Sequence, residues 1–128
     1  MANTVEVQTI NDGDRNLVIK VHIDGDGSGE ETATNIVDIS TLSGSPTSLR
    51  LLSILSGFVG FSAELLWDAT ADVHLFEIPD YELDMCFKHF GGIPNNAGAG
   101  VTGDVLITTT GLGLGDTGHA VLHFIKTY

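Results

Sequence analysis

In LVIKVHI (17–23), Leu17, Ile19, Val21 and Ile23 fall on one parity, with Lys20 and His22 on the other. Alternation with a period of two puts successive side chains on opposite faces of an extended chain, so this stretch predicts a half-buried β-strand. Residues 3–10 alternate more loosely, Val5 and Val7 against Glu6 and Gln8, and NDGD supplies the turn between the two runs. NIVDIS is a third strand, closed by the turn LSGSPTS. LRLLSIL (49–55) and FVGFSAELLW (58–67) have lengths that suit either a helix or a strand. Serine and glycine punctuation and the shared parity of Phe61, Ala63, Leu65 and Trp67 favour strands. VHLFEI, bounded by Asp72 and Pro79, then ELDMCF, DVLITTT and HAVLHFIKTY complete the series.

Short strands at near-regular spacing, with no alternation of strand and helix, predict a single all-β domain over 1–128. The expected fold is an antiparallel β-sandwich or barrel, jelly-roll-like, of about eight strands. Sixteen glycines in 128 residues agree with many tight turns.

Charge narrows the function classes. Seventeen acidic against five basic side chains give a net charge of −12, spread along the chain. Such a surface repels nucleic-acid phosphates and anionic lipid, so neither nucleic acid nor membrane is an expected partner. No apolar run reaches the roughly 18 residues of a membrane span. Cys86 is the only cysteine, which excludes an intramolecular disulfide and fits folding in a reducing cytoplasm. Within ELDMCF it is expected to face the core. MANTVEV shows neither a basic nor an apolar leader region, so no signal peptide is expected.

Four features invite a chemical reading. GLGLGDTGHAV contains G-x-G-x-x-G at Gly113, Gly115 and Gly118. A dinucleotide site needs a helix opening on the third glycine and a second parallel strand beyond it. HAVLHFIKTY reads instead as β, so the glycines are expected to form a hairpin loop between the last two strands. In DGDGSGEE, Asp24, Asp26 and Ser28 match positions 1, 3 and 5 of an EF-hand, but position 12 is Asn35 and neither flank is helical. A non-EF calcium loop at Asp24, Asp26 and Ser28 is the weak metal candidate, against a solvated acidic hairpin turn. His119 and His123 are about 13 Å apart on a strand, too far to share a metal. Trp67 reads as a core residue at a strand end rather than a sugar-stacking platform. No nucleophile signature is present, so the sequence gives no catalytic residue, no cofactor and no enzyme.

The long connection HFGGIPNNAGAGVTG is either a packed cover over one end of the sandwich or a contact element between subunits. Asn95, Asn96, Gly98 and Gly100 are its candidate partner-contact residues.

Three blocks, MANTVEVQTINDGDRNLVIKV, LLWDAT and FGGIPNNAGAGVTGDVLITTTG, together resemble a family of small virion proteins of tailed phages. DGDGSGEETATN matches that family least well. The resemblance implies a jelly-roll-like capsid decoration or cement protein. It would be made in the host cytoplasm and placed on the capsid surface of the virion, a homotrimer bound to the major capsid protein. The alternative is a carbohydrate- or receptor-binding β-module, or another neck or tail structural protein. A carbohydrate-binding module would expose an aromatic face around Trp67, Phe76 or Tyr81.

Overall fold

The structure, a computed structural model, describes residues 3–128. Its nine strands are β1 (Thr4–Asp12), β2 (Asn16–Asp24), β3 (Thr34–Val37), β4 (Ser48–Val59), β5 (Ser62–Trp67), β6 (Val73–Ile78), β7 (Leu83–Cys86), β8 (Val105–Thr110) and β9 (Thr117–Thr127). They form two antiparallel sheets, ordered β1-β2-β9-β4-β7 and β3-β8-β5-β6. Among the described residues all four end strands keep an edge with no neighbouring strand, so the architecture is an open sandwich and not a closed barrel. From β2 onward the chain crosses repeatedly between the sheets, which gives the jelly-roll-like order.

The core is set by parity. Leu17, Ile19, Val21 and Ile23 of β2 point inward with Ala120, Leu122 and Phe124 of β9, and all are buried. Leu49, Leu51, Ile54 and Phe58 of β4 continue that layer. A register shift at Leu52 restores the inward parity after Leu51. Phe61, Ala63, Leu65 and Trp67 face them from the second sheet, together with Val105 and Ile107 of β8. LRLLSIL lies within β4 as expected, whereas FVGFSAELLW is divided: Phe58 and Val59 end β4, Gly60 turns the chain at φ +88°, and Ser62–Trp67 is β5. Trp67 is fully buried, which removes it from any sugar-binding surface.

Two loop expectations are corrected by the connectivity. Residues 111–116 do not close a hairpin: β8 belongs to one sheet and β9 to the other. The 25–33 connection is likewise a crossover, from β2 to β3, and not a hairpin turn. Period-two alternation reports which face of a strand is buried but not which sheet the strand joins.

Gly118 shows what one of the fingerprint glycines does. It sits opposite Ile23 on one side and Phe58 on the other. A Cβ there would stand 2.9 Å from the Phe58 Cα and 3.0 Å from the Gly57 carbonyl oxygen. The space it leaves lets Phe58 stack on Phe61, ring centroids 4.7 Å apart, between the sheets.

Candidate docking face

The outward face of the five-stranded sheet is built of cross-strand rungs. One rung runs Glu6, His22, His119, Gly57. The next runs Gln8, Lys20, Val121, Leu55, Asp84. A third carries Val18, His123, Ser53 and Cys86, and a fourth Asn16, Ile125 and Arg50. The side chains opposite the buried row of LVIKVHI thus meet those of β9 and β4 on one surface. Val121 and Leu55 stand at its centre, with Leu55 exposed.

Its charge balance differs from the rest of the molecule. Lys20 and Arg50 stand on the face. Against these two cations are three carboxylates, Glu6, Asp24 and Asp84. The paired strands therefore give the face a formal charge of only −1, and nearly all of the net −12 of the chain lies elsewhere. Three of the five histidines, His22, His119 and His123, lie on it as well.

Local hydrogen bonds fix several of these groups. Asp24 accepts from Thr117 Oγ1 at 2.6 Å and lies 2.9 Å from His22 Nε2, contacts that hold its carboxyl below the usual range. His123 Nε2 lies 2.9 Å from Asn16 Oδ1. Burial, and secondarily the Lys88 ammonium, lowers the His123 pKa. Arg50 Nε donates to the Gly91 carbonyl at 3.0 Å, tying the face to the long connection that follows β7.

Cys86 is exposed on this face, against the expectation that it faces the core. The parity of Leu83, Met85 and Phe87, with Phe87 buried, already assigned Cys86 to the outer side. The expectation had weighed residue type over alternation.

The calcium candidate has other work. Asp24 is engaged as described, and Asp26 Oδ1 accepts from the Ser28 amide at 2.9 Å, a local turn contact. Among the described residues no three His, Cys, Asp or Glu side chains converge as metal ligands. The neighbouring Glu30 is a strut. Its carboxylate accepts from Thr109 Oγ1 at 2.8 Å and from the amides of Gly111 and Leu112 at 2.9 and 3.1 Å. The glycine-rich loop thus presents backbone amides to an anion, and the anion is the protein's own Glu30. No local pattern in the sequence marks this pair, because 79 to 82 residues separate its halves.

The 91–104 connection is tied to its own chain at both ends. Ile93 exchanges two backbone hydrogen bonds with Leu51, at 2.9 and 3.0 Å. Thr70 N donates to Ala99 O at 3.1 Å, and Thr102 N to Asp68 O at 3.2 Å. Asn95 closes a turn by accepting from the Ala97 amide at 2.9 Å. Gly100 backs directly onto Thr70, whose amide nitrogen would lie 2.9 Å from an added Cβ. Asn95 and Gly100 thus make contacts within the chain, as does Gly98, whose carbonyl accepts from the Val101 amide at 3.1 Å, while the side chain of Asn96 remains on the exposed surface. No protein-family model matches the chain, and no curated protein matches it.

Proposed function

We propose that this chain is a structural binding module, a tailed-phage decoration protein. It docks the outer face of its five-stranded sheet on the capsid exterior and acts without catalysis. The observation that carries the reading is the charge distribution: one broad face is close to neutral on a molecule of net charge −12. Charge repulsion opposes contact across most of this acidic surface, and docking is favoured where that repulsion is least. A face built on three long strands, β2, β4 and β9, is also rigid, so little ordering entropy is lost on contact. Binding that favours the assembled shell over free subunits stabilises the shell by mass action. Repetition over a symmetric lattice supplies avidity from weak single contacts.

Particle density of the phage that encodes the chain tests this directly. The expected result is a copy number comparable with the major capsid protein, with the β2–β9–β4 face toward the shell. A dozen or fewer copies would place the protein at the neck or tail instead.

A further inference from the structure

The four free edges of the sandwich are unequal. β3 and β7 are four residues each, and β6 is six residues long with a register irregularity against β5 and exposed His74 and Glu77. Short, bulged or charged edges resist pairing with another chain. β1 has almost none of these protections. It spans nine residues and pairs with β2 on one side and, among the described residues, with no strand on the other. From Thr4 to Asn11 it contains no proline, glycine, lysine or arginine, and Glu6 is its only charge. Its single irregularity lies between Thr9 and Asn11, near its far end. The strand also overhangs the core. Val7 is 41% exposed, although its neighbour Val21 on the same inward row is fully buried.

We infer that β1 pairs antiparallel with β1 of a second copy of this chain, across a two-fold axis at Val7. The register follows from charge and face. Centred on Val7, the pairing sets Val7 against Val7, Val5 against Thr9, and Glu6 against Gln8. Centring on Glu6 would set two carboxylates directly opposite each other, which is destabilising. The Val7 register keeps β-branched side chains together on the inward row and places no like charges in direct opposition. The irregularity at Ile10 ends the pairable stretch, which limits growth of the contact. A two-fold contact of this kind is self-complementary and closes at two copies, in place of the homotrimer that the family resemblance implies.

The pairing makes one continuous ten-stranded sheet, with the outward faces of both copies on the same side. Two near-neutral faces would then meet a shell together. The dimer itself rests on the β1 edge alone and does not require the docking proposal.

Light scattering on the full chain in solution tests the dimer, with 13.5 kDa as the monomer mass. The expected species has twice that mass, and V7K, which sets two ammonium groups against each other, returns it to the monomer with an unchanged circular dichroism spectrum. Should V7K fail to fold, V7C in a C86S background provides the second reading. Opposed side chains have Cβ atoms about 4.5–5.5 Å apart, so a short bis-maleimide should link most of the V7C/C86S chains in pairs. A wild-type monomer, a trimer, a V7K dimer, or V7C/C86S that stays unlinked would each overturn the inference. A dimer that forms in solution but leaves the capsid undecorated would uphold the pairing while refuting the docking proposal.

Discussion

The ammonium of Lys126, wholly buried near the end of β9, forms an ion pair with the carboxylate of Asp12, the last residue of β1. It also donates to the carbonyls of Gly13 and Ser43, at 2.5 and 2.8 Å. One side chain therefore joins the β1–β2 turn, the turn before β4 and the final strand. Removing one member of a buried pair leaves the other's charge uncompensated, which costs more than the pair is worth. Asp12 retains a quarter of its side-chain exposure, so water compensates it in part when Lys126 is removed. Lys126→Met should cost about 2–3 kcal/mol. Asp12→Ala should cost more, because it strands a fully buried ammonium. Urea midpoints of the two variants check the order, and equal or reversed costs would contradict it.

Stability should fall with acid in two stages. The His123 pKa lies below its ordinary 6.5, through burial first and Lys88 second. The unfolded chain therefore binds a proton that the folded one resists, and stability drops as pH falls from about 6.5 toward the folded value. The second stage comes from carboxylates. Asp12 is held below 3.8 chiefly by its hydrogen bond to Lys126, and Asp24 by Thr117 and then His22. Burial raises Glu30, but the bonds from Leu112, Thr109 and Gly111 lower it further, to below 4.5. Each contributes stability above its unfolded pKa that is lost as pH falls through its folded one. Melting temperatures should decline gently below pH 6.5 and steeply below about 4.5. His123→Gln should remove the gentle stage and leave the steep one.

The three fingerprint glycines should differ sharply when replaced. Gly118→Ala drives a methyl group into the backbone of Phe58, and overpacking of that kind costs about 1–3 kcal/mol. Gly113→Ala meets only an Asp116 oxygen at 3.5 Å, an ordinary contact, and should be nearly neutral. Gly115 has φ +84°, so Gly115→Ala is strained by its backbone although space is open there. Thermal unfolding of the three variants gives the ranking. A dominant effect at Gly113 would mean the loop is organised differently.

The Glu30 strut predicts a local effect rather than a global one. Glu30→Gln keeps an acceptor but removes the charge that strengthens the bonds to the Gly111 and Leu112 amides. The carboxylate is exposed, so the loss should stay near ~1 kcal/mol. Hydrogen exchange should accelerate at Gly111 and Leu112 and stay unchanged in β9. Uniform acceleration throughout the chain would assign Glu30 a global role instead.

Strand positions and inward faces were legible because alternation is local. LVIKVHI alone assigns both the buried row and the outward Lys20 and His22. The docking face was not legible, because a face exists only once β2, β9 and β4 are neighbours. His22 meets His119 across 97 residues of chain, and no local pattern encodes that pairing. The crossovers escaped for the same reason: glycine-rich turns between strands look alike whether the strands pair or part.

Charge on the docking face should govern shell binding. Lys20 lies on the central rung beside Val121 and Leu55, and Arg50 at the margin near Gly91. K20E would change the face from net −1 to −3, and K20E/R50E to −5, on a molecule that is already acidic. If the face meets the shell, occupancy on purified particles should drop for K20E and further for the double variant. Added salt should partly restore it, because screening shortens the reach of repulsion to about 8 Å at physiological ionic strength. Reversing charge on the opposite sheet, with Glu64→Lys, should leave occupancy unchanged or raise it slightly. Glu64 pairs with His74 at 2.5 Å outside this face, so Glu64→Lys reads a charge reversal away from it, opposite in sign to that of K20E. Equal losses for Glu64→Lys and K20E would refute docking through the five-stranded sheet.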